Sequence, residues 1–140
     1  MKNYCIALFS FIMVSSCQEK KAENFDIGLL NGYWEIENVV MADGSKKEYK
    51  MNETIDFFEV KSDSGFRKKV KPQFDGTYIV NDVDEKISIQ KSVEGTFISY
   101  KTDYATWKEK IITLSTQELI LENDQHIQYQ YKKPTPFTIK

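Results

Sequence analysis

Residue types that commonly catalyse reactions are sparse in this chain. His126 is its only histidine, and no Gly-x-Ser-x-Gly motif or metal-spaced second histidine accompanies it. It adjoins the turn signal Asn123-Asp124, so we expect an exposed turn histidine. Since a nucleophile, a base and a metal-ligand set are not found together, we predict that the protein is not an enzyme and has no catalytic residue, metal site or cofactor.

Two charged segments have residue types that bind ions. Residues 81–85 contain the carboxylates of a calcium loop, but not its glycine or its later bidentate glutamate, so a solvated turn at Asn81-Asp82 is expected. Residues 67–71 form a basic cluster whose side chains would divide between the two faces of a strand. We expect this cluster to protect a strand edge, with contact to an anionic envelope component as the alternative.

The charge balance argues against nucleic acid as a partner. The chain has 19 basic and 21 acidic residues and a formal net charge of −2 at pH 7. Binding to a phosphate backbone requires a basic footprint, which this composition does not supply.

Cys17 offers a different chemistry, that of a thiol at the end of an N-terminal signal. Lys2 provides a positive start, residues 6–14 are apolar, and Ser15-Ser16 precede the cysteine. The apolar run is too short to span a bilayer, which takes about 20 residues. The small residues before Cys17 resemble the lipobox of bacterial lipoproteins, in which a diacylglyceryl group joins the thiol and the new amino terminus is acylated. A plain secretory signal is the alternative.

The lipobox resemblance implies a signal peptide over residues 1–16 and a lipidated tether over residues 17–24. Two or more acyl chains anchor a protein stably to a membrane. Residues 18–24, fully extended, reach at most about 25 Å. We expect a bacterial cell-envelope protein on a periplasm-facing leaflet, with the cell surface as the alternative. Because Cys5 would leave with the signal and Cys17 would take the lipid, we expect no thiol for a disulfide in the folded part.

Residues 25–133 have the pattern of an all-β domain. Short runs rich in Ile, Val, Thr, Tyr and Phe alternate with turn signals such as Asp43-Gly44 and Asp75-Gly76. The predicted strands are residues 34–41, 54–60, 66–70, 77–80, 86–91, 96–102, 107–114, 118–122 and 127–132. This order predicts an antiparallel up-and-down meander of eight or nine strands closed into a barrel, with an open β-sandwich as the alternative.

Two motifs on this meander resemble those of lipocalins. Gly32 and Trp34 begin the first strand as Gly-x-Trp, and Thr102-Asp103-Tyr104 lies between the sixth and seventh predicted strands, where many lipocalins have the same residues. The chain is similar to the small lipocalin-like (calycin-type) domains of bacterial lipoproteins from residue 29 to about 133. The resemblance implies a barrel-closing motif of these five residues. The alternative for Gly32 and Trp34 is a turn residue followed by a core aromatic.

The same resemblance implies a basic side chain packed over Trp34. Lipocalins usually place arginine there, and this chain offers Lys132 or Lys133. The contact would be of the cation–π type.

The functional expectation depends on what fills the barrel, since eight strands enclose either packed side chains or one small ligand. The aromatic residues that could line an amphipathic pocket are Tyr78, Phe97, Tyr129 and Tyr131. We expect non-covalent binding of a small hydrophobic or amphipathic molecule. The alternative is a filled barrel that binds an envelope protein, as an inhibitor or an assembly partner.

Residues 134–140 form a predicted C-terminal tail. Pro134 and Pro136 cannot donate hydrogen bonds to a β-ladder, so the last strand ends before them. Phe137 and Ile139 could fold back to cover a barrel mouth.

Overall fold

The first and last strands pair with each other, which closes the sheet into a barrel. A computed structural model describes residues 23–135, apart from the side chains of Asn81 and Asp82. In this range a 3₁₀ helix precedes nine strands that pair only in the antiparallel sense. The helix spans Ile27–Leu30, and the strands are β1 (Gly32–Val40), β2 (Lys46–Glu48), β3 (Ile55–Lys61), β4 (Ser64–Pro72), β5 (Tyr78–Ser92), β6 (Gly95–Lys101), β7 (Thr106–Leu114), β8 (Glu118–Glu122) and β9 (Gln128–Lys132).

Eight of these strands, β1 and β3 to β9, form the closed ring. Each pairs with the next along the chain, and β9 returns to β1. The predicted all-β up-and-down barrel is therefore confirmed over the open sandwich. The short strand β2 pairs with the end of β1, beyond the residues of β1 that pair with β3. The sequence pattern does not predict β2, because Lys46-Lys47-Glu48 lacks apolar alternation.

Strand β5 is continuous where the sequence predicts two strands separated by a turn at Asn81-Asp82. That turn prediction is wrong. Lys68 pairs with Asp84 and Val70 pairs with Val80, so residues 81–83 of β5 lie opposite one residue of β4. This is a β-bulge, which bends a strand without reversing it. Residue types that favour turns also suit the irregular backbone of a bulge, and the sequence alone does not separate the two.

The hairpins alternate between the two ends of the barrel, because neighbouring strands are antiparallel. The start of β1 and the β3–β4, β5–β6 and β7–β8 turns lie at one end, which we call the Trp34 end. The β4–β5, β6–β7 and β8–β9 turns lie at the other end, which we call the far end.

Trp34 closes the barrel at the Trp34 end. Its side chain is fully buried, and its indole Nε1 donates a hydrogen bond to the Leu30 carbonyl at 2.8 Å, which ties the 3₁₀ helix across the opening. Gly32 has a φ of 108°, which a residue with a side chain rarely adopts. Farther into the interior, large side chains from several strands are also fully buried: Phe58, Ile98, Leu119 and Leu121.

A lysine covers the outer side of this tryptophan. The Nζ of Lys133 lies 3.7 Å from the centroid of the Trp34 ring, and burial lowers the pKa of Lys133. Lys132 instead faces Glu37, with 3.9 Å between Nζ and Oε1. Of the two candidates that the sequence offers, the structure thus places Lys133 over the ring.

A second apolar cluster lies on the outer face of β1, β3 and β4. Ile55 alternates with the inward-facing Asp56 and pairs with Val70, and both Ile55 and Val70 are buried although they do not belong to the barrel core. Tyr33 on β1 stacks on Tyr78, with 4.2 Å between ring centroids and 13° between planes. This contact requires residues 72–78, which we call the hairpin arm, to fold back over the outer face.

Some predictions fall on residues that the structure does not describe. The signal peptide, Cys17 and most of the tether precede residue 23, and Pro136, Phe137 and Ile139 follow residue 135. The predictions for these residues stay predictions. Among the described residues, no helix has the length and hydropathy needed to cross a bilayer.

The lysine–tryptophan contact can be tested by unfolding in urea. We expect Lys133→Met, which keeps most of the aliphatic stem, to lower the free energy of unfolding by about 0.5–2 kcal/mol through loss of the cation–π contact. The matched control is Lys132→Met, which removes an exposed ion pair and should change stability little. Equal effects of the two substitutions would contradict the role of Lys133.

Candidate functional site

The four aromatic residues expected to line one pocket divide between the two faces of the sheet. Tyr131 is buried in the barrel core, and Tyr129 is half-buried against that core on the same strand. Phe97 faces outward, because its neighbour Ile98 takes the inward position, and Lys108 Nζ lies 4.8 Å from its ring centroid. Tyr78 also faces outward, in the stack with Tyr33. The expectation of a single pocket lined by all four residues is therefore corrected.

Thr102-Asp103-Tyr104 forms the β6–β7 turn, at the far end of the barrel from Gly32 and Trp34. The backbone N–H groups of Tyr104 and Ala105 donate to Thr102 Oγ1 at 3.2 and 3.1 Å, so the threonine stabilises a tight turn. Tyr104 is 98% exposed. This placement corrects the expectation that the three residues share a barrel-closing motif with Trp34. The fourth and fifth predicted strands are one strand, β5, so this turn follows the fifth strand of the closed ring and lies at the far end, whereas a turn after a sixth strand would lie at the Trp34 end.

A layer of charged side chains crosses the barrel interior beyond the apolar core. Arg67 is only 7% exposed, and its Nε donates to Glu85 Oε2 at 2.5 Å. Its guanidinium carbon lies 4.3 Å from the Tyr100 ring centroid, while Asp56 pairs with Lys69 and lies 4.0 Å from the Arg67 guanidinium. These pairings compensate for the burial of charge.

The basic cluster at residues 67–71 thus has a structural role inside the sheet. Arg67 points inward, whereas Lys68 lies outside, with its Nζ 5.1 Å from the Phe66 ring centroid. This division between faces agrees with the expectation. The expectation that the cluster protects an edge is wrong, because β4 pairs with β3 on one side and with β5 on the other.

Three buried oxygen atoms in this layer have no hydrogen-bond partner among the described residues: Asp56 Oδ2, Tyr100 OH and Glu109 Oε2. Burial raises the pKa of Glu109 above its usual range, since the charged form is poorly solvated there. The three atoms have essentially no exposed surface, so the interior is tightly packed at this depth. Solvent reaches the edge of the layer at Lys69, whose side chain is 48% exposed.

A groove of about 500 Å³ lies on the outside of the barrel, between the hairpin arm, the segment before β3 and the end of β9. We call it the outer groove. Its apolar lining comes from four segments of the chain and consists of Met51, Ile55, Pro72, Tyr78 and Pro134. Its charged lining residues are Glu35, Lys50 and Lys132.

Local hydrogen bonds shape the outer groove. Asn52 Nδ2 donates to the Ile36 carbonyl at 2.7 Å and is 3.1 Å from Glu35 Oε1, which holds the segment before β3 against β1.

Burial raises the pKa of Tyr78, and the neighbouring Tyr33 and Glu35 raise it further. The sequence singles out Tyr78 but not its partners in the groove, because their meeting depends on the folded-back arm.

The remaining candidates for chemistry are dispersed. His126 lies in the β8–β9 turn with its side chain 79% exposed, as expected, and its Nδ1 is 3.4 Å from Glu122 Oε1. Within residues 23–135, no group of three or more His, Cys, Asp or Glu side chains is placed to hold a metal ion.

A closed antiparallel barrel with a tryptophan at one end and a lysine packed over it is a lipocalin-like architecture. Residues 30–121 match the family described as "lipocalin-like domain". The chain belongs to this family. A lipocalin-like protein from Bacteroides uniformis, known from a crystal structure, is similar at 17% identity with a TM-score of 0.48, over 76% of this chain and 99% of that chain. Comparison with curated proteins finds no match.

The buried layer predicts a pH-dependent effect of Glu109→Gln. Because the folded-state pKa of Glu109 is raised, its contribution to stability is present at low pH and is lost as the pH rises through the folded-state pKa. The neutral variant does not incur that loss. We expect the free energy of unfolding of Glu109→Gln, relative to the unsubstituted protein, to increase between pH 4 and pH 7 in urea titrations.

The control for this prediction is Glu118→Gln, an exposed site on β8 that removes the same formal charge. A difference for Glu109→Gln that stays constant with pH, or that matches the control, would contradict the proposed desolvation of Glu109.

Proposed function

We propose that this protein is a lipid-anchored lipoprotein of the bacterial cell envelope that binds a small amphipathic molecule non-covalently, in the outer groove. The observation that carries the proposal is the groove itself. Its volume of about 500 Å³ lies within the range of about 300–1,000 Å³ typical of small-molecule sites. Apolar residues of the groove lie beside polar and charged ones, among them Asn52, Gln73 and Thr77, and this mixture suits a ligand that has both characters.

The packing of the barrel interior favours the outer groove over the interior as the ligand site. Trp34, Phe58 and Tyr100 are fully buried, and Arg67 with its carboxylate partners occupies the next layer. A ligand inside the barrel would have to displace these ion pairs, and breaking a buried pair is costly. A ligand in the outer groove leaves the interior intact.

The proposed anchor is Cys17, through the lipobox-like residues that precede it. The described chain enters the barrel at the Trp34 end through the 3₁₀ helix, and residues 18–24 reach at most about 25 Å. This arrangement keeps the Trp34 end near the membrane surface, on a periplasm-facing leaflet or, as the alternative, on the cell surface.

The proposal is tested by native mass spectrometry of the protein purified from its own envelope. We expect a small co-purifying molecule that stays bound to the unsubstituted protein and is lost from Tyr78→Ala, which removes a groove wall. Phe97→Ala is the matched control, because Phe97 is another outward aromatic residue and does not line the groove. Thermal unfolding of each variant verifies that the fold is retained.

Other outcomes of this experiment would overturn the proposal. Loss of the molecule from Tyr129→Ala but not from Tyr78→Ala would place the ligand inside the barrel, since Tyr129 faces the core. A bare mass for the unsubstituted protein would contradict binding of a small molecule.

A second candidate function is binding of an envelope protein, as an inhibitor or an assembly partner. The exposed apolar side chains at and near the hairpin arm favour it: Phe74 is 83% exposed, Ile79 57% and Val80 51%. Apolar residues clustered on a surface are typical of protein contacts. Chemical cross-linking in intact cells would test this function, with loss of a cross-linked partner in Ile79→Ser as the expected result.

A further inference from the structure

The described part of the chain ends at the outer groove. Its last two residues, Pro134 and Thr135, both line the groove, together with Tyr78 of the hairpin arm. Phe137 follows Thr135 by two positions, and a fully extended chain advances about 3.3–3.6 Å per residue, so their Cα atoms are at most about 7 Å apart. Covalent geometry alone therefore keeps Phe137 beside the groove.

The residues around this point favour an extended chain. Lys133 and Thr135 each precede a proline, and a residue before proline is biased sterically toward extended backbone. The proline rings also fix the φ angles of residues 134 and 136. A chain that is already restricted to an extended form loses less entropy when it docks on a surface.

Residues 136–140, which we call the tail segment, alternate in character. Phe137 and Ile139 are apolar, whereas Thr138 and Lys140 are polar. In an extended chain successive side chains project to opposite sides, so Phe137 and Ile139 would share one side. The tail segment thus has the pattern of a short peptide with one apolar face.

The outer groove offers an apolar surface that suits this face. Met51, Ile55 and Tyr78 line it from three different segments of the chain, and Met51 is 81% exposed. A methionine thioether makes favourable contacts with aromatic rings, so Met51 is a suitable neighbour for Phe137. A short covalent link also gives the tail segment an effective concentration in the millimolar range at the groove.

We propose that the tail segment docks in the outer groove, with Phe137 and Ile139 against the apolar lining, and that a ligand has to displace it. The docking stands independently, whereas the competition with a ligand rests on the proposed function of the groove. This position differs from the expected cover over a barrel mouth, because Pro134 and Thr135 lead into a groove on the outside.

Nuclear Overhauser effects test the docking in the full chain with Cys17→Ser, so that no acyl chain of its own competes. Isotope labelling of methionine methyl groups makes Met51 visible, and its signal is assigned with Met51→Leu. We expect Overhauser effects from the Phe137 ring protons to the Met51 methyl group or the Tyr78 ring. Their absence would overturn the proposal. Effects found only between differently labelled chains would assign the groove to a second copy and would also overturn it.

A double substitution tests the apolar side of the tail segment. We expect Phe137→Ser/Ile139→Ser to shift the backbone amide signals of Asn52 and Tyr78, which line the groove, to the positions found when residues 136–140 are deleted. Loss of the apolar contacts is the physical reason, because the remaining segment has nothing to bury. A deletion that leaves both signals unchanged would overturn the proposal.

The matched control is Thr138→Ser/Lys140→Gln, which changes the other side of the same segment. We expect it to leave the groove signals unchanged. Val93 at the Trp34 end is an internal reference for both variants. Equal effects of the two double substitutions on the groove would contradict docking through the apolar side.

The competition is measured by titration with the amphipathic fluorescent probe anilinonaphthalene sulfonate. We expect Phe137→Ser/Ile139→Ser to bind the probe about tenfold more tightly than the chain with an intact tail segment, because apparent affinity falls with the fraction of molecules whose site is open. Adding Tyr78→Ala should abolish this gain, since Tyr78 lines the groove. Equal affinity with and without the apolar side chains would overturn the competition.

The outcomes separate the docking from the proposed function. If Overhauser effects are absent while a small molecule still co-purifies and is lost from Tyr78→Ala, the docking fails and the proposed function stands. If the effects are present, but the chain without residues 136–140 binds no probe and no molecule co-purifies, the docking stands and the proposed function fails.

Discussion

The interior of a small closed barrel has to be filled, and this constraint determines most of the structure. Every strand contributes alternate residues to one enclosed space, so each inward position competes for the same volume. Here the Trp34 end receives Trp34 and Leu30, and the middle receives large aliphatic and aromatic side chains. The result is a packed interior, in which the barrel acts as a rigid framework for what lies outside it.

The charged layer extends this packing toward the far end. Arg67 contributes a long, flat side chain that stacks on Tyr100 and pairs with Glu85, so it fills space while its charge is compensated. Asp56 Oδ2, Tyr100 OH and Glu109 Oε2 form no hydrogen bond of normal geometry with the described residues, although Asp56 Oδ2 lies 4.0 Å from the Arg67 guanidinium. Buried ionic groups of this kind add little net stability compared with apolar packing. They do make the interior poorly suited to an apolar ligand, since such a ligand would strip the ions of their partners.

The sequence predicts those parts of the fold that follow from alternation along one strand. Ile87 and Ile89, or Ile127, Tyr129 and Tyr131, show which face is buried before any pairing is known. The closure of the barrel follows too, from the count of strands and the need to remove edges. Strand β2 is different, because Lys46-Lys47-Glu48 is exposed and is held by the backbone of β1. The alternation of apolar and polar side chains does not predict such a strand.

The candidate site could be predicted only in part, because it depends on a register irregularity. Tyr78 is an aromatic residue on a predicted strand, and alternation within residues 77–80 does not say that it packs on Tyr33 of a non-adjacent strand. The bulge at residues 81–83 changes the course of β5 relative to β4, and Tyr78 of the hairpin arm beyond it lines the same groove as Ile55.

The folded-back hairpin arm forms one wall of the outer groove, and the segment before β3 and the end of β9 form the opposite wall. A groove then exists that no linear motif encodes. The same step explains why a resemblance based on Gly32 and Trp34 specifies the framework but not the candidate site. The motif residues belong to the closure of the barrel, while the outer groove belongs to an arm whose position is set by the bulge and by the stack of two tyrosines. The closure of the barrel and the candidate site therefore depend on different residues of the chain, so the first can be retained while the second changes.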